Sequence, residues 1–328
     1  MKILVTGSAG HLGEAMMRTL QALGHDVIGL DILQSSLTTH PGSITDRAFV
    51  RHCMKGVTTV FHAATLHKPH VATHEEQQFV DTNITGTLTL LQEAVSAGVE
   101  SFIFTSTTSV FGDALIPPDG QPAAWITEDV VPEPKNIYGV TKAAAEDLCQ
   151  LYHRNHRLPC IVLRTSRFFP EEDDLPAARE AYGDANLKAN EYLYRRVDIE
   201  DAVGAHLLAA RRARDIGFGK YIISATTPFA VSDMALLRTD APTVVGRLAP
   251  AYKDLYSRLD WKMAPGLDRV YVNERARLAL GWQPKYDFGY VLGCLERGED
   301  FRSPLARAVG VKGYHAATPM AHPTAQTA

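Results

Sequence analysis

The chain has 328 residues, 45% hydrophobic and 21% charged, with a net charge of -4. That composition supports a sizeable folded core, and without a dense Lys/Arg run it argues against a nucleic-acid partner. No apolar stretch reaches membrane-spanning length, and Cys53, Cys149, Cys160 and Cys294 lack metal-ligand spacing, so a cytoplasmic protein with reduced thiols, no membrane partner and no metal is expected.

The run KILVT (2–6) reads as a first buried strand and leaves no room for a signal peptide before it. Apolar residues at Leu12, Ala15, Met16, Leu20 and Leu23 then form one helical stripe, with Gly24 as its stop. Further strands are expected at 26–31, 57–63, 101–106 and 159–164, with helices at about 46–55, 75–97 and 138–156 between them. Short buried strands separated by helices predict a parallel sheet with right-handed crossovers, a doubly wound Rossmann-type α/β fold. The polar, uneven segment 167–196 breaks the alternation. A helix at 197–213 and a last strand at 220–224 follow. The expected division is a dinucleotide-binding domain over 1–166 and 197–227, and a smaller substrate lobe over 167–196 and 228–302. A loosely ordered tail over 303–328 completes it.

TGSAGHLG (6–13) sets Gly7, Gly10 and Gly13 between the first strand and a helix. Glycine permits positive φ and lets a phosphate approach the backbone, and the head of the helix, at His11 and Leu12, offers N–H groups to a pyrophosphate. Asp31 ends the second strand, where a carboxylate accepts both ribose hydroxyls of NAD and repels the 2′-phosphate of NADP. The expected cofactor is therefore NAD. Further on, NIYGVTK places Tyr138 and Lys142 four apart at the head of a helix, where both side chains can act on one point.

In this order, TGSAGHLG, Asp31, HAA (62–64), NITGT (83–87), TSTTSVFGD (105–113), YGVTK (138–142) and ARLALGWQP (276–284) resemble the extended short-chain dehydrogenase/reductase superfamily, in particular its NAD-dependent epimerase/dehydratase family. The resemblance covers roughly residues 1–300 and implies a catalytic set of Tyr138, Lys142 and Thr107, with Thr105, Ser106 and Thr108 within two positions of that hydroxyl. Tyr138 would exchange the proton of a substrate alcohol, Lys142 would favour its phenolate, and Thr107 would hold the reacting oxygen. Ser43 and Ile44 would lie near the adenine, Ala63 and Ala64 would leave the cofactor room, and Asn83 would bond neighbouring backbone. The family also implies a homodimer joined through the helices at 75–97 and 138–156.

Two departures bear on the reaction. Thr108 and Ser109 stand where dehydratases carry Asp-Glu, which disfavours elimination of water. Arg167 stands where nucleotide-sugar enzymes carry asparagine, and Ala264 where they carry arginine. Arg167 and Arg196 are then expected to meet a substrate anion, with His67, Lys68 and His70 lining the substrate entrance and Thr107 and Thr108 touching the substrate. The expected activity is hydride transfer at a secondary alcohol or carbonyl of a sugar, sugar acid or nucleotide sugar, by an epimerase or a dehydrogenase. The alternatives are a nucleotide-sugar 4-epimerase in the strict sense and a non-catalytic NAD(H)-sensing protein.

Overall fold

Residues 2–313 are described by the computed structural model. The strands are β1 (Lys2–Thr6), β2 (Asp26–Asp31), β3 (His40–Pro41), β4 (Thr59–His62), β5 (Ser101–Thr107), β6 (Ala124–Ile126), β7 (Cys160–Thr165), β8 (Phe218–Ile223) and β9 (Arg269–Tyr271). Seven of them form one sheet in the order β3-β2-β1-β4-β5-β7-β8, every neighbouring pair parallel. The order runs outward in both directions from β1, which is the doubly wound topology expected from the alternation.

The strands are buried on both faces, so each sends alternate residues to different layers. Ile3, Val5, Ile103, Ile161 and Leu163 pack against α1 (His11–Ala22) and the helix Ile199–Ile216. Leu4, Val60, Phe102, Phe104 and Val162 face the opposite layer, built from α2 (Arg47–Cys53), the helix Gly86–Ala97 and the long helix Ile137–His156. A separate cluster around Tyr192, Phe229, Tyr256, Val270 and Phe288 forms the core of a smaller lobe, edged by the two-stranded β6-β9 sheet.

Three segments differ from the sequence expectation. The single helix expected over 75–97 is divided into α3 (Glu76–Phe79), a π-helical turn (Val80–Thr85) and α4 (Gly86–Ala97). One added residue per turn redirects the face that carries Asn83. The uneven stretch after β7 contains two short helices, Pro176–Ala181 and Asp184–Glu191. The tail expected to be loose from 303 begins as a helix, Pro304–Val309, capped by the Ser303 hydroxyl and with proline in its first turn. Val309 is buried against the α1 layer. Residues 314–328 of that expected tail lie outside the described residues.

Candidate active site

The C-terminal ends of parallel strands leave backbone groups and loops free to hold a ligand. At the end of β1 the chain turns through Gly7 at φ +76. A Cβ on Gly7 would lie 2.8 Å from the Ala64 nitrogen, and one on Gly13 would lie 1.8 Å from the Gly7 carbonyl oxygen. The turn therefore packs backbone against backbone. Gly10 precedes α1 without a side-chain cap, so the first-turn N–H groups at His11, Leu12 and Gly13 remain directed outward at the positive end of the helix. Asp31, at the end of β2, accepts from the Ala9 and Leu33 N–H groups, each at 2.9 Å. Burial raises its carboxyl above the ordinary range, and these backbone bonds oppose the rise.

Ala63 and Ala64 follow β4 directly, and the Ala64 N–H donates to the Thr6 hydroxyl at 3.2 Å. His62 links this corner to Asn83. Thr87 spends its hydroxyl proton on the Asn83 carbonyl at 2.6 Å, so His62 Nε2 donates to Thr87 at 2.9 Å and Nδ1 accepts from Thr6 at 2.8 Å. Asn83 in turn accepts from the Leu66 N–H and the Thr65 hydroxyl, both at 2.9 Å. It donates to the Leu66 carbonyl and the Thr141 hydroxyl, both at 3.0 Å. Ser43 bonds Thr45 at 2.8 Å, and Ile44 is buried, with its Cδ1 2.5 Å from where a Cβ on Gly86 would stand.

Tyr138, Lys142 and Thr107 come together where α5 (Ile137–His156) crosses the end of β5. All three are buried, at 8%, 2% and 8% exposure. Asn136 caps α5 by accepting from the Gly139 N–H at 3.0 Å, which places Tyr138 in the first turn. The Thr107 side chain lies close enough to Tyr138 to favour its phenolate. Lys142 Nζ donates to the Thr105 carbonyl at 2.7 Å and lies 4.0 Å from the centre of the Phe104 ring. Thr108, beside them, is buried as well. Burial pushes the Tyr138 phenol up to about 12, opposed by the neighbouring Thr107 hydroxyl, and pushes Lys142 down to about 7. Within the chain alone burial dominates the Tyr138 phenol, and the Lys142 ammonium is turned toward the Thr105 carbonyl.

The guanidinium groups of Arg167 and Arg196, expected at a substrate anion, both have protein partners. Arg167 and Arg196 form an isolated bridge, but both guanidinium groups are already engaged by the protein. Arg167 donates to Asp173 at 2.8 Å and to the Glu172 carbonyl at 3.1 Å. Arg196 donates to Glu191 at 2.7 Å and to the Phe169 carbonyl at 3.1 Å. Arg195 closes the cluster on Asp173 and Glu191 at 3.2 and 2.8 Å. His67 is buried and stacks on Phe169 at 5.4 Å between ring centres, and Lys68 pairs with Asp174 at 3.2 Å. Phe169 also meets His11 edge-on, and His11 Nε2 lies 2.9 Å from Glu171. The segment after β7 therefore packs over the head of α1. Sequence reasoning missed Glu171 and Asp173, whose partners no local periodicity announces.

At the level of fold and turn geometry, this is a Rossmann-type dinucleotide-binding protein. Residues 3–223 match the NAD dependent epimerase/dehydratase family. The chain belongs to that family, and its cofactor is NAD. A UDP-glucose 4-epimerase of Erwinia amylovora is 31% identical over 183 residues, 50% of this chain and 52% of that protein. An NAD-dependent glucose-6-phosphate dehydrogenase of Haloferax volcanii is 28% identical over 178 residues, 49% of this chain and 66% of that protein. The chain thus spans about half to two thirds of the length of these curated relatives. A short-chain dehydrogenase/reductase superfamily protein from Agrobacterium tumefaciens, solved with NAD, shares the fold with a TM-score of 0.65. It is 21% identical, over 91% of this chain and 98% of that one.

Proposed function

We propose that the protein is an NAD-dependent epimerase acting at a secondary alcohol of a sugar nucleotide or sugar phosphate. The observation that carries this reading is the buried grouping of Tyr138, Lys142 and Thr107 where α5 crosses the end of β5, with Lys142 one turn beyond Tyr138. When bound, NAD supplies the hydride acceptor and a positive ring beside the phenol. The glycine turn and head of α1 would hold its pyrophosphate, Asp31 its adenosine ribose, and Lys142 its nicotinamide ribose. Thr107 would fix the substrate oxygen so that Tyr138 Oη exchanges a proton with it. A phenol held near 12 keeps its proton at neutral pH and is poorly suited to removing one unaided. Removal therefore relies on the positive charge that collects beside it.

The Erwinia amylovora relative supports a nucleotide-sugar substrate, and the Haloferax volcanii relative supports a dehydrogenase acting on a sugar phosphate as a second reading. Incubation with UDP-glucose, UDP-galactose and glucose 6-phosphate, followed at 340 nm and by proton NMR of the product, separates them. Interconversion without net NADH marks an epimerase, and stoichiometric NADH marks a dehydrogenase. Absence of both with bound NAD returns the protein to the sensing class. We further propose a homodimer through the outer face of α5, where Val140 and Leu151 are exposed. Light scattering tests this.

A further inference from the structure

Glu146 continues the stripe of Tyr138 and Lys142 along α5, one further turn on, and it is 1% exposed. A carboxylate so deep is costly unless it is paired, and this one is fully engaged. Its Oε1 accepts from the Ser106 hydroxyl at 2.6 Å and from Arg164 Nε at 3.0 Å. Its Oε2 accepts from a second Arg164 nitrogen at 2.7 Å and lies 3.1 Å from Lys220 Nζ. Arg164 is the buried penultimate residue of β7, and Ser106 immediately precedes Thr107 on β5. Thr165 donates to the Ser106 carbonyl at 2.8 Å, which joins the same two strands a second time.

Two successive turns of α5 are thus fastened to two successive residues of β5: Lys142 to the Thr105 carbonyl and Glu146 to the Ser106 hydroxyl. Those fastenings set the height of Tyr138 against Thr107. We infer that Glu146 is a positioning residue for the proton-transfer group, holding α5 in register with β5 and supplying the buried negative charge that favours the Lys142 ammonium. The inference rests on the proposed role of Lys142 at the cofactor.

The charged and titratable groups around the pair are few. Glu146 faces Arg164 from β7 and Lys220 from β8. Lys142 faces the Thr105 carbonyl and Phe104 ring from β5, feels Cys149 and Glu146 on its own helix, and repels a proton from His62 on β4. Burial drives Lys142 down to about 7, and Cys149 and Glu146 act against that fall. Burial also opposes ionisation of Glu146, but Arg164, Lys220 and Ser106 hold its carboxyl below the ordinary range, so it stays charged wherever Lys142 titrates.

The test is the pH dependence of NADH binding between pH 5.5 and 9, read by energy transfer from protein tryptophan to NADH. The wild type should show a step in affinity near the Lys142 midpoint, absent in Lys142→Met. Glu146→Gln keeps the shape of the side chain and removes its charge, and should lower that midpoint by about half a unit or more. Glu146→Asp, charged but one methylene short, should hold it closer to the wild type. Lys220→Met, at a partly exposed side chain and so sparing the fold, removes a competing cation and should raise the midpoint. A merely structural Glu146 would lower the melting temperature and leave the midpoint in place. A step that vanishes in Lys142→Met but is unmoved in Glu146→Gln and Lys220→Met overturns the role given to Glu146. A step that persists in Lys142→Met, or is missing from the wild type, overturns the cofactor role of Lys142 and the inference with it. Should Glu146→Gln not fold, the sign of the Lys220→Met shift decides alone.

Discussion

Lys142 and Thr105 are joined by a 2.7 Å hydrogen bond from the buried ammonium to a backbone carbonyl. The bond fixes the lysine by a group that no side-chain substitution can remove. Only changes at Lys142 itself, or in the charges around it, can alter what the ammonium does.

Tyr138→Phe removes one hydroxyl from a buried site and leaves the rest of the packing. Turnover should fall by about two to four orders of magnitude, with NADH affinity close to that of the wild type. Steady-state kinetics beside a fluorescence titration check this. A variant that keeps most of its turnover would place the proton transfer on another group.

The lysine carries a stability consequence whose sign follows from its shift. Its midpoint in the fold is about 7 against an ordinary 10.5. Between those values the unfolded chain binds the extra proton and the fold does not, so this group's contribution improves as pH rises through that window. Lys142→Met should therefore raise the melting temperature of the NAD-free protein at pH 7 and below. The gain should shrink toward zero as pH approaches 10.5. Calorimetry across that range is the check, and a pH-independent gain would refute it.

Asp31 serves two ends at once, because the carboxylate that should exclude a 2′-phosphate also holds the Ala9 N–H of the glycine turn. Asp31→Ala should weaken NAD by about 10- to 100-fold, the cost of losing charge-assisted hydrogen bonds. NADP should weaken less, so the preference narrows. Calorimetric titration of both cofactors settles the ratio, and tighter binding of NADP than NAD by the wild type would contradict the assignment.

Arg196→Met should destabilise the fold by about 3–5 kcal/mol, because it strands the Glu191 carboxylate in the interior. Glu191 is 1% exposed, and Arg196 donates to it at 2.7 Å. Urea unfolding measures the loss. A near-neutral result would show that Arg195 and Arg167 satisfy Glu191 without help.

The sheet, the glycine turn and the Tyr138–Lys142 pair were legible because each depends on short-range spacing. The continuous apolar run of β7, the glycine at positive φ after β1 and the i, i+4 geometry of α5 are written in adjacent residues. The fate of Arg167 and Arg196 was not, since their partners sit in a segment without periodicity and the pairing appears only when that segment folds back. The π turn around Asn83 escaped for a different reason: one inserted residue barely disturbs an apolar stripe. The helix Pro304–Val309 did announce itself through Ser303 and Pro304, and Ala-rich composition after it drew attention away.

The residues that follow that last helix have a consequence for the order in which the molecule can be made. Lys312 reaches Glu14 on α1 with its ammonium and Glu171 with its backbone N–H, contacts spanning 298 and 141 positions of chain. The pairing of Glu171 with His11 at the head of α1 is therefore completed by residues that leave the ribosome long after α1 does. A nascent chain can lay down β1, α1 and β2, but the contact of Glu14 with Lys312 must wait for a residue made 298 positions later. Until then the head of α1 lacks both of those contacts.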